Sequence, residues 1–451
     1  MGEPFDPIAE YRSRTRRSSE WFETASEHLP GGVTGNVKFY EPYPIYAKRA
    51  KGSHLWDLDG HDYVDYLLCF GPLILGHGHP KVVEAIRRQI EQDGTLIFGA
   101  PHALEVRMAE RLKRIFPFAD RVRFANSGLE ATLHALRIAR GFRRRPMIAK
   151  FEGHYHGSYD EVLVSLAPPL EASGPNAAPL GVPGSVSTTP GEVANTLVLP
   201  YNDLDATLKL LRLRASDLAA VIMEPVARGF IPADREFIKG LREATADLGI
   251  PLVFDEIMSG FRMETFGAAQ TVLGIDPDLL CLGKVLGGGF PCGAFLGTSE
   301  LMDMVDPLAK APEARVFHGG TFNGHPTVLA AGLATLDVLE EPGTYARIND
   351  ATRQLRAGLD ELFDRHGLVA RTEGVGSTFD VRFSDVRARD YRSAARTDAT
   401  SRRLFDFGLL ARGVHLHPEK PFYLCTEHDR GDVERTLAAA EDVIRRMCGS
   451  L

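Results

Sequence analysis

The chain reads as an α/β protein, with a large, mostly parallel, doubly wound sheet and a small α+β lobe formed by its N- and C-terminal segments. Two observations predict the large part. Short, nearly unbroken apolar runs recur at Met147–Phe151, Leu218–Met223 and 251–254, as strands covered on both faces require. Helical apolar spacing fills the intervening stretches at 130–141, 235–248 and 326–339, an alternation that predicts a parallel sheet wrapped by helices. A third observation predicts the lobe. After Gly343 the texture changes to a long charged helix over 345–366, then shorter strands and closing helices. The expected division is an N-terminal segment over 1–75, a large domain over 76–340 and a C-terminal lobe over 341–451.

Taken in order, Pro80 opens a helix in which Val82, Val83 and Ile86 keep helical spacing. Val122-Arg123-Phe124 reads as a strand that feeds the turn Asn126-Ser127-Gly128 and the next helix. The segment 167–195 is rich in Pro, Gly, Ala and Ser; a loop of that length in a compact domain is a lid or a plain insertion. Asp278-Leu279-Leu280-Cys281 is a further buried strand.

Bulk properties narrow the function classes. The 451 residues, 44% of them hydrophobic, can bury a large core. A formal charge of -8 advertises no basic face and argues against nucleic acid as a partner. Five scattered cysteines without CxxC spacing suit reduced thiols in a cytoplasmic enzyme. The first twenty residues lack an apolar signal core, and the longest apolar stretch, near 67–75, is too short to span a bilayer. A soluble, cytoplasmic protein is expected.

The chemistry centres on Lys284, which follows the 278–281 strand and is crowded by glycines. A lone lysine beside a turn is ordinarily a snorkelling surface residue. At the end of a buried strand it is costly unless something pairs or reacts with it, and a desolvated lysine is a nucleophilic amine. Asp255 ends another apolar strand 29 residues earlier, and ligands of open parallel sheets bind outside the carboxyl ends of strands. Alone, Asp255 is as readily a helix N-cap; with Lys284 it suits the ring nitrogen of an aldehyde cofactor. Asn126-Ser127-Gly128-Leu129 opens a helix suited to phosphate. Gly319-Gly320-Thr321 offers a second hydroxyl, and Tyr155, between His154 and His156, an aromatic ring to stack on a planar group. No Walker or dinucleotide fingerprint is present. The paired histidines at 77/79, 154/156 and 415/417 lack a third ligand at a familiar spacing, so no metal is expected.

Read jointly, these residues resemble the class III aminotransferases among the fold-type I pyridoxal phosphate enzymes, in the branch containing glutamate-1-semialdehyde 2,1-aminomutase. Further motifs extend the resemblance over nearly the whole chain: Leu29-Pro30-Gly31-Gly32-Val33, Trp56-Asp57-Leu58-Asp59-Gly60, Gly76-His77-Gly78-His79-Pro80, Phe98-Gly99-Ala100-Pro101, Pro200-Tyr201-Asn202-Asp203 and Glu224-Pro225-Val226. The resemblance implies that Lys284 is the Schiff-base lysine and proton carrier and that Asp255 pairs with the pyridine nitrogen. It implies Tyr155 on one ring face and Ile257 on the other. Ser127, Gly128 and the Leu129 backbone would hold the phosphate, with Thr321 arriving from the second subunit of a homodimer, and Glu224 would line the pocket.

Departures bear on the substrate. Leu129 stands where the aminomutases carry a hydroxyl, and Lys38 where an arginine grips a carboxylate. Lysine offers a point charge without the bidentate fork. Ala227-Arg228-Gly229 replaces Gly-Asn, so Arg228 is either a carboxylate clamp or a surface arginine. The reading that follows is an aminotransferase moving an amino group between a carboxylate-bearing amine, α or β, and a keto acid, akin to the β-phenylalanine and D-phenylglycine transaminases. The alternatives are an intramolecular aminomutase of the glutamate-1-semialdehyde type and an amino-acid racemase or epimerase.

Overall fold

The computed structural model describes residues 5–263 and 266–449. They divide into two compact units, one built from 1–80, 342–387 and 396–451, the other from 81–341 and 388–395.

The second unit is organised by seven strands: β1 Arg121–Ala125, β2 Met147–Phe151, β3 Thr196–Leu199, β4 Leu218–Met223, β5 Leu252–Asp255, β6 Leu279–Gly283 and β7 Gly293–Gly297. Their order across the sheet is β1-β7-β6-β5-β4-β2-β3. The pairs β6·β5, β5·β4, β4·β2 and β2·β3 are parallel, and only β7 runs against its neighbours. Strands β2, β4, β5, β6 and β7 are buried at every residue, which is why their sequences are apolar runs without alternation. Helix α1 Gly128–Arg143 lays Ala131, Ala135, Leu136, Ile138 and Ala139 on the sheet, against Ile148, Ala220, Val253, Leu279 and Phe295. Small residues on that face let helix and sheet approach closely, and this contact is the core of the unit.

Strand register decides what stands on the sheet's edge. Lys150 is level with Ile222 and Ile222 with Val253, so two residues further on Glu152, Glu224 and Asp255 stand at one height at the carboxyl ends of their strands. Asp255 is paired with Cys281, three residues before Lys284. Gly283 pairs with Gly293 and Gly293 with Ala125, which sets the turn at Asn126 beside the start of Lys284. Elsewhere, helix α2 Arg235–Asp247 sets Phe237 against Phe151 of β2, ring centroids 5.6 Å apart, and helix α3 Pro326–Glu340 packs along the Lys284–Gly287 turn.

The first unit is α+β. It holds a four-stranded sheet of Ala47–Lys51, His54–Asp57, Asp62–Asp65 and Val414–His415, and a three-stranded one of Arg371–Val375, Thr378–Arg382 and Phe422–Tyr423. The long charged helix spans Thr344–Arg365 and packs with Arg430–Gly449. Buried Asp65 accepts from Leu67 N–H and Leu68 N–H and contacts His77 and His415 at 2.8 and 2.7 Å. It thereby holds three successive left-handed residues, Leu68, Cys69 and Phe70, a conformation that non-glycine residues adopt only when surroundings impose it. Among the described residues, no helix is long and apolar enough to cross a membrane.

Candidate active site

The turn after β2 is locked to the turn after β4. Tyr155 N–H donates to Glu224 Oε2 at 2.9 Å, while Glu224 N–H donates to His154 Nδ1 at 3.0 Å. His156, buried, lies with Nδ1 2.8 Å from Asp255 Oδ2, and Ile257 N–H donates to Asp255 Oδ1 at 3.1 Å. Thr132 Oγ, from α1, donates to His156 O at 2.6 Å and fixes the far side of the same turn. The Tyr155 ring is left half exposed.

At the start of α1, Ser127 is the N-cap, its Oγ accepting from Glu130 N–H at 3.2 Å. The first-turn N–H groups of Gly128 and Leu129 have no acceptor within the helix, and the Ser127 O–H remains a donor. With the helix dipole these make an anion site. Gly128 has no room for a side chain, since a Cβ there would stand 2.7 Å from Ile257 Cδ1; one on Gly283 would stand 3.3 Å from Ile257 Cγ2. Ile257 therefore fills the corner between the end of β5, the end of β6 and the start of α1. Lys284 leaves β6 in the left-handed region at φ 46°.

Burial sets the protonation of the site. It pushes Asp255 up to about 7, against the opposing pull of the Ile257 N–H and the Lys284 charge. It pushes Glu224 up to about 8, helped by the nearby Asp255 and opposed by Tyr155 N–H, Lys284 and Arg228. Burial and Lys150 hold His156 well below its ordinary value, so it is a neutral donor to Asp255. Lys150 itself, buried and donating to Val164 O at 2.8 Å, is brought down to about 7 by desolvation.

Two features fit the cofactor expected from the sequence. A buried carboxyl held near neutrality is ready to be recharged by a cationic ring nitrogen, and the glycine-lined helix start is ready for a phosphate. Lys284, Asp255, Glu224, Tyr155, Ile257, Ser127, Gly128 and Leu129 all belong to this edge of the second unit. Arg228 is exposed on the hairpin between Val226–Ala227 and Ile231–Pro232, its guanidinium 5.8 Å from the Tyr391 ring centroid and its charge felt by Glu224. Thr321 is exposed in the turn before α3, which Asn126 Nδ2 ties to Ser127's loop by donating to Asn323 Oδ1 at 3.0 Å. Lys38 belongs to the first unit, where its Nζ donates to Thr34 Oγ at 2.8 Å. Among the described residues no group of three or more His, Cys, Asp or Glu is arranged to hold a metal ion.

Sequence reading passed over His156 as a holder of Asp255, although it stands beside Tyr155 in the same motif. It also passed over Arg392. Both Glu152 oxygens accept from Arg392, at 2.7 and 3.0 Å, across 240 residues of chain. No local pattern announces a pair that distant.

A strand-end lysine and carboxylate beside a helix-start anion site, on a mostly parallel seven-stranded sheet, define an enzyme of the fold-type I α/β class. The chain belongs to the class-III aminotransferase family, whose family model matches residues 37–423. It is 43% identical over 430 residues to the glutamate-1-semialdehyde 2,1-aminomutase of Thermus thermophilus, covering 94% of this chain and 98% of that one. An omega-transaminase from Sphaerobacter thermophilus superposes with a TM-score of 0.91 at 36% identity, covering 97% and 99% of the two chains. A beta-phenylalanine aminotransferase from Variovorax paradoxus gives 0.86 at 31% identity, over 97% and 96%.

Proposed function

We propose that this class-III aminotransferase family member is a pyridoxal phosphate enzyme that moves an amino group within one carboxylate-bearing substrate, as an intramolecular aminomutase of the glutamate-1-semialdehyde type. Near-complete, 43% identity to the Thermus aminomutase carries that choice, and it favours the aminomutase alternative over the aminotransferase first expected from the sequence. The placement of Asp255 and Lys284 at the ends of adjacent parallel strands carries the chemistry.

When bound, pyridoxal phosphate supplies an aldehyde for an amine and a ring that draws electrons from the carbon bearing it. The Lys284 amine would hold that aldehyde and would carry the proton at the substrate carbon. Asp255 would pair with the ring nitrogen, and His156 and Ile257 N–H keep its two oxygens in place. Tyr155 and Ile257 would cover the two ring faces. Ser127, Gly128 and Leu129 would hold the phosphate, joined by Thr321 from a second copy of the chain, which would make the working form a homodimer. Glu224, largely protonated at neutral pH, lines the pocket without repelling a substrate carboxylate, which Lys38 or Arg228 anchors. The five free cysteines suit a cytoplasmic setting.

Leu129, Lys38 and Arg228 favour a second reading, amino transfer to a separate keto acid. The two part on one assay. Given glutamate-1-semialdehyde and no keto acid, the protein should convert it to an isomer of equal mass with the amino group moved from carbon 2 to carbon 1. Turnover that occurs only when a keto acid is supplied, with the amino group recovered on it, replaces the mutase by the aminotransferase. Return of an amino acid with inverted configuration would select the racemase.

A further inference from the structure

The chain leaves the first unit after Arg387 and returns to it at Arg396; the eight residues between belong to the second unit. They carry a short helix, α4 Tyr391–Ala394, capped by Asp390, whose side chain accepts from Ser393 N–H at 2.7 Å. Asn202 Nδ2 donates to Arg389 O at 2.8 Å and Arg389 Nη2 to Asp234 Oδ2 at 2.5 Å, which seat this strap on the loops after β3 and before α2.

Arg392 uses all five of its N–H donors. Nε and Nη2 grip Glu152 Oε2 and Oε1 at 2.7 and 3.0 Å. Nη2 also donates to Ser173 O at 2.9 Å, and Nη1 to Gly174 O and Asn176 Oδ1 at 2.8 and 2.6 Å. Glu152 is buried, so removing its cation would leave an uncompensated charge inside the protein. Beside it, Tyr391 donates its hydroxyl to Pro168 O at 2.8 Å. Its side chain also lies on the bare α-carbon of Gly153, where a Cβ would meet it at 2.6 Å. Gly153 needs its left-handed φ of 78° to turn the chain from β2 toward Tyr155.

One strap thus holds two things at once: the proline-rich stretch 168–176 and the turn that begins at Glu152 and carries Tyr155 and His156. We propose that Tyr391 and Arg392 are positioning residues, fixing that turn and so the seating of the pyridoxal ring. The inference rests on the cofactor assignment made above. Glu152 sets the geometry of Gly153 to His156, His156 holds Asp255, and Tyr155 presents its ring, while Arg392 touches none of the reacting groups. Only the planar fork of arginine satisfies Glu152 and three loop acceptors together, so lysine is not a substitute.

The test uses full-length Arg392→Lys and Tyr391→Phe. Amide hydrogen exchange is followed in cofactor-free protein, and pyridoxal phosphate binding is followed by titration and by the visible circular dichroism of the bound ring. In Arg392→Lys, exchange should rise about tenfold or more over both 168–176 and 152–157, and the cofactor should dissociate about tenfold more readily with weakened dichroism. Tyr391→Phe should loosen 168–176 and 152–157 more mildly. Faster exchange confined to 168–176, with 152–157 and cofactor binding as in the parent, would overturn the proposal and leave the strap a loop fastening. Unchanged exchange in both stretches would overturn it too. A lower melting temperature with parental dichroism and dissociation constant would reduce Arg392 to a structural role and count against it. Should Arg392→Lys not fold, Tyr391→Phe and Asn176→Ala are judged on the same two stretches. A parent protein that binds no pyridoxal phosphate would sink the proposed function, while exchange at 152–157, measured without cofactor, would still decide the positioning claim.

Discussion

His156 Nδ1 stands 2.8 Å from Asp255 Oδ2, joining the turn after β2 to the end of β5. A neutral imidazole here orients the carboxylate without neutralising it, because burial and Lys150 hold His156 well below its ordinary value. Asp255, raised to about 7 by burial, can then take up its full charge when a cationic partner stands beside it. Asp255→Asn keeps the shape and removes the charge. It should lower kcat by roughly 10²–10³-fold, the scale of losing one preorganised electrostatic group. His156→Gln should cost less, because the Ile257 N–H still holds the other oxygen. Steady-state kinetics of the two variants checks the order, and an equal loss for both would contradict it.

Glu224 gives a pH prediction. In the unfolded chain its proton leaves in the ordinary carboxylate range, whereas in the fold burial holds it to about 8. Between those values the folded state binds the extra proton, so Glu224 stabilises the fold at low pH and that contribution is lost as pH rises toward 8. Asp255 and Glu256, both raised to about 7 by burial, act in the same direction. Glu224→Gln cannot ionise. In cofactor-free protein its melting temperature should therefore gain on the parent as pH rises from about 5 to about 9. A gap that stays constant across that range would contradict the assignment.

Lys150 has the opposite sign. Desolvation brings it to about 7 in the fold, against an ordinary value near 10.4. The folded state binds fewer protons between the two, so this lysine's contribution to stability grows with pH in that window. Lys150→Met, of similar length and uncharged, should be most stabilising relative to the parent at pH about 6 and lose that advantage toward pH about 10. A melting-temperature series checks the slope.

Lys38 and Arg228 are the two candidates proposed to anchor the substrate carboxylate. Arg228 already acts electrostatically on Glu224, while Lys38 in the first unit is bonded to Thr34. If Arg228 anchors the substrate carboxylate, Arg228→Ala should raise KM by roughly 10–100-fold, the scale of a lost charge-assisted hydrogen bond, with kcat much less changed. Lys38→Ala should then leave KM near the parent's. The reverse pattern transfers the role to Lys38.

Much of this was legible in the chain. The buried strands announced themselves as unbroken apolar runs, and Lys284, Asp255 and Ser127-Gly128 stood at their ends, where open sheets gather ligands. The helix starting at Gly128 was readable because its cap, its glycine and its spacing agree. Long-range partners were not legible. That Glu152 faces Arg392, or that His415 joins Asp65, depends on register and on chain segments returning from hundreds of residues away. The strap of 388–395 was missed for the same reason: it is a short polar stretch whose partners are backbone carbonyls. Between aminomutase and aminotransferase, departures such as Leu129, Lys38, Arg228 and the proline-rich 167–195 segment point one way, and whole-chain identity favours the other.

The central claim is that Lys284 is the amine that holds the cofactor aldehyde. It is tested most directly by reducing the cofactor-loaded protein with borohydride and locating the pyridoxyl group by peptide mass mapping. A single labelled lysine, Lys284, is expected, with no label in Lys284→Ala. A pyridoxyl group found on Lys150 or any other lysine in the parent protein, with Lys284 unmodified, would contradict it.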